Sequence, residues 1–138
     1  FKPTYGLVSR YGLVAYGSSL DVVGPFATNV KDAALTMSIM SGNCDKDSTS
    51  LPEKRYPFLE EIEKPLKQLT IGVPWSFLEK LSDEPRKLFE KSLEALRAKI
   101  VPVDLDVLKH SIGVYYILAT AEASTNLARF DGIRYGVR

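Results

Sequence analysis

Hydrophobic positions in the first third of the chain recur with a helical spacing. Val30, Ala33, Ala34, Met37 and Met40 fall on one face, and Leu35 and Ile39 widen the apolar surface, so the spacing predicts a well-buried helix. Thr28 and Asn29 are candidate caps at its start, where Asp32 sets a carboxylate against the positive end of the dipole. Gly42 and Asn43 supply the stop.

A second rhythm follows. Leu69-Thr70-Ile71-Gly72-Val73 reads as a short buried strand stopped by Pro74. Ser82-Asp83-Glu84-Pro85 then reads as a helix start, with cap, first-turn acids and an early proline. Phe89, Leu93 and Leu96 form an apolar stripe opposite Arg86, Lys87, Glu90, Lys91, Glu94 and Arg97. Ile100-Val101-Pro102-Val103 is a further apolar run in which Pro102, lacking a donor, marks an edge or a strand end. Strand, helix, strand predicts a right-handed parallel crossover and an α/β fold. From about Leu108 to Arg129 the helical pattern returns. Ile112, Tyr115, Tyr116, Leu118, Ala119, Glu122, Ala123 and Asn126 lie on neighbouring faces, and the small Ala119, Ala121, Ala123, Ser124 and Ala128 suit close approach of other backbone. Glu122 needs a partner there, either Arg129 or a backbone donor from elsewhere.

Two stretches lack these periods. Tyr5-Gly6-Leu7-Val8 recurs as Tyr11-Gly12-Leu13-Val14, which predicts two short strands or one bent strand, with Gly6, Gly12 and Gly17 permitting positive φ or close backbone approach. Residues 43–67 are rich in charge and proline and read as an internal surface connection, anchored by Tyr56, Phe58 and Leu59.

Composition adds bounds. At 138 residues, 45% hydrophobic and 25% charged, the chain suits one globular domain, and a formal charge of +1 supplies no field that would attract nucleic acid by itself. The lone Cys44 and lone His110 do not make a metal or thiol site, and a reduced cytosolic thiol in a surface turn is the expected state of Cys44. No run of about 18 apolar residues marks a membrane span. None of the serines stands in a glycine-rich nucleophile turn, and phosphate loops and zinc or calcium spacings are missing, so no complete catalytic set can be assembled.

Lys2-Pro3-Thr4-Tyr5-Gly6, Val8-Ser9-Arg10, Gly12, Ser18-Ser19-Leu20-Asp21 and Gly24-Pro25 together resemble the segment just after the nucleophile in amidase-signature enzymes. Within that family, Asp47-Ser48-Thr49-Ser50, Ala121-Glu122-Ala123-Ser124, Asn126-Leu127-Ala128-Arg129-Phe130-Asp131-Gly132 and Arg134-Tyr135-Gly136 resemble the A subunits of glutamyl-tRNA(Gln) amidotransferases. The resemblance implies part of the amidase-signature fold, a mixed sheet with flanking helices, and makes residues 1–138 a single partial domain. Phe1 in place of Met agrees with a piece of a longer chain.

Such enzymes use a serine nucleophile, a second serine in a cis peptide that relays a proton, and a lysine, all in the part of the pattern before Phe1. Lys2 follows the nucleophile segment and is not that lysine, so no catalytic residue and no cofactor is assigned to this chain. The resemblance implies that Tyr115 borders the glutamine pocket, against the plainer reading of a buried helix tyrosine. Ser18, Ser19 and Asp21 would tie the loop beneath the nucleophile or orient the pocket, or simply form a turn. Asp131, Arg134 and Tyr135 would dock another subunit, or Asp131 and Arg134 would pair internally. Arg10 and Lys2 are expected to face solvent. The implied partners are the B and C subunits, glutamine and Glu-tRNA(Gln). ATP and magnesium would be used by the B subunit, with the complex working in the cytoplasm. Another amidase-signature amide hydrolase and a non-catalytic interaction module stay open as alternatives. One position departs from the family: glycine is usual near Arg97, where an L-residue is strained in the left-handed cap, so the helix is expected to run on or to end in another geometry.

Overall fold

The computed structural model describes residues 1–52, 56–65 and 68–135. Gly136 and parts of the 43–67 connection (53–55, 66–67) lie outside the described residues. The chain divides into two compact units, Phe1–Lys64 with Tyr116–Arg138, and Pro65–Tyr115.

In the first unit, α1 (Val30–Met40) begins where the side chain of Asn29 accepts the Asp32 N–H at 2.9 Å, the expected cap. It ends at Ser41, whose N–H reaches the Met37 carbonyl, and the next residue, Gly42, takes φ +145° and donates to the Leu7 carbonyl at 3.1 Å. Burial of α1 is narrower than its apolar content predicts. Ala34 and Met37 are buried, whereas Val30, Leu35 and Ile39 are exposed. Met37 closes on Leu7 and Val8, with Val23, Met40, Leu51 and Phe58 packed around them. The core thus draws on the C-terminal half of the stripe, through Met37 and Met40, and leaves Val30 at its start and the flanking Leu35 and Ile39 uncovered. Phe58, on the short helix α2 (Phe58–Glu61), anchors the connection as expected and meets the Phe1 ring edge-on at 6.0 Å.

The Tyr-Gly-Leu-Val repeat forms turns instead of strands. Leu7 N–H donates to the Thr4 carbonyl and Leu13 N–H to the Arg10 carbonyl, closing two four-residue turns with Gly6 (φ +82°) and Gly12 (φ +91°) in the third position. A type II turn requires positive φ there, which glycine alone supplies freely. The local demand of the Tyr-Gly pair overrides the β preference of Leu-Val.

In the second unit, β1 (Thr70–Val73) and β2 (Lys99–Pro102) pair in parallel, with Thr70 opposite Lys99 and Val73 opposite Pro102. Pro102 falls at the strand end, where its missing donor does no harm. Between the strands run α3 (Trp75–Leu78) and α4 (Asp83–Leu96), with Phe89 edge-on to Trp75 at 6.4 Å. Ser82 caps α4 by position but makes no side-chain cap bond. Arg97 ends α4 in the left-handed conformation itself (φ +48°, ψ +34°), so the glycine geometry is kept without the glycine. A 3-10 turn (Asp106–His110) leads into α5 (Ser111–Leu127), whose later part belongs to the first unit and buries Ala119, Ala123 and Asn126 on one face. Among the described residues, no helix is long and apolar enough to cross a membrane.

Candidate functional site

Asp21 closes a loop on itself. Its carboxylate accepts the N–H groups of Tyr16 (2.9 Å) and Gly17 (3.1 Å), while Leu20 and Asp21 N–H both donate to the Gly17 carbonyl at 2.8 Å. A short acceptor at the end of a Gly-Ser-Ser-Leu run is what such a turn needs. The closure presents Ser18 and Ser19 at the tip, where they meet α5. Ser19 N–H donates to Glu122 Oε2 at 2.8 Å and Ser19 Oγ donates to Oε1, so the partner of Glu122 is a backbone and hydroxyl donor from the distant loop. Arg129 turns instead to the Asn126 carbonyl at 3.0 Å. Asn126, one turn beyond Glu122, donates from Nδ2 to the Tyr16 carbonyl at 2.9 Å and lies against Ser18 Oγ (2.9 Å from Nδ2, 3.2 Å from Oδ1).

The other side of the tip is held by Arg10. Ser18's carbonyl accepts from Tyr5 Oη at 2.8 Å and from Arg10 Nη1, and the guanidinium lies 4.8 Å above the Tyr5 ring. Arg10 Nη2 donates to Thr49 Oγ1 at 3.0 Å, and Thr49 Oγ1 donates onward to Asp47 Oδ1 at 2.6 Å. Asp47 also accepts the N–H groups of Thr49 (2.9 Å) and Arg10 (2.8 Å), and Arg10 Nε stands 3.9 Å from it. The Thr49 hydroxyl first, then the Arg10 and Thr49 N–H groups, pull the Asp47 carboxyl down to about 2. Arg10 therefore does not face solvent. Its side chain is only 17% exposed because a carboxylate, a hydroxyl and a carbonyl replace water around it. Lys2 bonds the Pro3 carbonyl at 2.9 Å.

Arg10, Ser18, Asp21, Lys46 and Asp47 line the polar part of an open cleft of about 420 Å³, with Tyr11, Leu13, Val14, Val22 and Val23 along its apolar part. Lys46 Nζ sits 4.9 Å from the Tyr11 ring centre. Of the pairs in this unit, Ser19 and Glu122 most resemble a nucleophile with its base. The Ser19 hydroxyl, followed by its N–H, holds the Glu122 carboxyl below the usual range, despite desolvation and the nearby Asp21 charge. These bonds favour the charged carboxylate and tie the loop to α5.

Other residues singled out in the sequence make contacts of their own. Asp131 accepts the N–H groups of Ile133 (2.8 Å) and Arg134 (3.0 Å), with Arg134 the larger cause of its lowered carboxyl pKa. It thus folds its own turn through backbone donors, and no Asp131–Arg134 ion pair is found among the described residues. Tyr135 packs edge-on against Phe130 at 5.6 Å. Tyr115 lies on the first part of α5, in the second unit, and is half-exposed instead of buried. Cys44 sits half-buried in a turn, its N–H donating to Ser50 Oγ at 3.0 Å. Hydrogen bonding, led by the Ser9 side chain, lowers its thiol pKa. No cluster of three metal-ligating side chains occurs among the described residues.

The family model for Amidase matches residues 1–138. The A subunit of glutamyl-tRNA(Gln) amidotransferase from Protochlamydia amoebophila is 58% identical over 141 residues, covering 100% of this chain and 29% of the relative. The protein of that name from Chlamydia trachomatis serovar D is 50% identical, with 28% of its length covered. The chain therefore spans under a third of the length of these curated relatives. Among solved structures, the A subunit of glutamyl-tRNA(Gln) amidotransferase from Thermotoga maritima superposes with a TM-score of 0.79 at 40% identity, over 99% of this chain and 30% of that one. A chain of a vestigial protein complex, described as revealing the evolutionary origins of an s-triazine catabolic enzyme, shares the fold at a TM-score of 0.76 and 20% identity, over 96% of this chain and 29% of its own. The family pattern runs from the first residue to the last, through both the loop that carries Ser18 to Asp21 and the helix that holds it, and the chain belongs to the amidase family.

Proposed function

We propose that this chain is the part of a glutamine-hydrolysing amidotransferase A subunit that follows the nucleophile, and that it supplies scaffold and one wall of the glutamine pocket. The supporting observation is the meeting of two motifs. Ser18 and Ser19, from the segment shared across amidases, are held by Glu122 and Asn126, from the segment resembling A subunits. The 58% identity over the whole chain to one such protein supports the same reading. In the complete enzyme, residues outside this sequence attack the glutamine amide, and water completes its hydrolysis to glutamate and ammonia. Ammonia then passes to a B subunit, which uses ATP and magnesium to turn Glu-tRNA(Gln) into Gln-tRNA(Gln), with a C subunit binding the two, in the cytoplasm. Tyr115 borders the pocket, and the turn of Asp131, Arg134 and Tyr135 docks another subunit.

The test is ammonia release from glutamine by two proteins: the 138-residue chain alone, and a graft of it over the matching stretch of the Protochlamydia relative, assembled with that relative's partner subunits. Release by the graft and none by the chain is the expected result. Release by the chain alone would place the chemistry inside it, and a folded graft that has lost the parent's activity would sink the A-subunit reading.

A further inference from the structure

We propose that Glu122 and Asn126 are positioning residues for the amide-hydrolysing reaction, holding the 16–21 loop so that the Ser18 carbonyl stays on Arg10 and the polar end of the cleft keeps its shape. The inference rests on the glutaminase reading above.

The argument is geometric. Glu122 and Asn126 stand one helical turn apart on the same side of α5, and Ala119 and Ala123 beside them are buried, which lets the loop approach the helix closely. From that face, Glu122 takes both donors of Ser19, and Asn126 spans the Tyr16 carbonyl and the Ser18 hydroxyl. The loop's own closure comes from Asp21 and sets its shape, but nothing in that closure fixes where the loop lies. On the α5 side the two helix side chains supply the place, opposite the hold of Tyr5 and Arg10 on the Ser18 carbonyl. Through Ser18 the constraint continues: its carbonyl is shared by Tyr5 and Arg10, and Arg10 in turn holds Thr49 and Asp47 on the other side of the cleft. A loop released from α5 takes an acceptor away from a largely buried guanidinium, so the loss spreads across the cleft. Both carboxylate oxygens of Glu122 are engaged by Ser19, so Glu122 acts on the cleft through Ser19.

The experiment uses the graft in the relative's assembled complex, with Glu122→Ala, Asn126→Ala and Glu122→Gln. Initial rates of ammonia release give kcat and KM, and amide hydrogen exchange follows residues 16–21. Both alanine variants are expected to lose about 10–100-fold in kcat/KM, the scale on which supporting hydrogen bonds act, with faster exchange at 16–21. Glutamine at 122 can still accept the Ser19 N–H and can donate to the Ser19 oxygen, so Glu122→Gln restores most of the rate and the slow exchange. Alanine variants with faster exchange but unchanged kcat/KM would overturn the positioning role. A glutamine variant as slow as alanine, with the loop still protected, would overturn it too, by giving the charge a direct part. If the unsubstituted graft releases no ammonia, the glutaminase reading falls and exchange decides alone: unchanged exchange in the alanine variants refutes the loop-holding role, and faster exchange upholds it.

Discussion

The carbonyl oxygen of Thr49 occupies the space in which a Cβ on Gly6 would stand, and Gly6 returns the contact by accepting the Leu51 N–H at 2.8 Å. Gly12, its counterpart in the second Tyr-Gly-Leu-Val copy, has a similar positive φ but nothing within 4 Å of its would-be Cβ. The two positions separate backbone strain from steric exclusion. Gly12→Ala should cost roughly 1–2 kcal/mol, the strain of a left-handed L-residue. Gly6→Ala adds a backbone collision and should cost upwards of about 3 kcal/mol. Urea unfolding of both variants measures the difference, and equal losses would mean that the Thr49 strand of the loop gives way.

Why the first copy and not the second is pinned could not be read from the repeat, because the pinning atom comes from another part of the chain. The same limit explains Arg10. Its charge was visible, but its partner Asp47 lies 37 residues on, and only the fold brings them together. Short-range signals were more legible. Asn29 capping Asp32, Pro102 ending β2 and the parallel crossover all follow from neighbours in sequence. Glu122 falls between the two cases: an acid on a helix face of small residues demanded a partner, yet nothing local named Ser19. Asn126 was visible on the helix face and in the family motif, but that its amide is buried with both ends engaged by the 16–21 loop follows only from the fold.

Arg97 holds a cap conformation that glycine would adopt freely. The left-handed strain is about 1–2 kcal/mol, and glycine's extra freedom in the unfolded chain returns roughly 0.5–1 kcal/mol of that. Arg97→Gly should therefore stabilise by about 0.5–1 kcal/mol, while Arg97→Ala, which keeps the Cβ, should gain nothing. Chemical denaturation of the pair decides it. An equal gain from alanine would trace the effect to the arginine side chain and not to the backbone.

Asp47 makes acid stability depend on a named group. Its carboxyl pKa falls from 3.8 to about 2 on folding, so the folded state favours the charged form. By linkage the resulting stability is fully present above the unfolded value and is lost as pH drops from near 4 towards 2. Asp47→Asn should lower the urea midpoint at neutral pH, since an amide nitrogen would face the Arg10 N–H, and should flatten the loss between those pH values. An unchanged pH profile in the variant would assign the acid sensitivity to other carboxylates.

Met37 is completely buried between Leu7 and Val8, whereas Ile39, on the same helix, is 69% exposed. Their contrast tests whether α1 is held by one stripe or by its whole apolar surface. Removing the Met37 side chain leaves a cavity among Leu7, Val8, Leu51 and Phe58, and Met37→Ala should cost about 2–5 kcal/mol, against less than about 1.5 kcal/mol for the volume-conserving Met37→Leu. Ile39→Ala removes as apolar a group from a site that stays in water, and should shift stability by no more than about 0.5 kcal/mol. Because Met37 closes on the residues that follow the Gly6 turn, its loss should also speed amide exchange at Gly42, whose N–H is held by the Leu7 carbonyl. Comparable losses at positions 37 and 39 would show that the outer face of α1 is covered in solution.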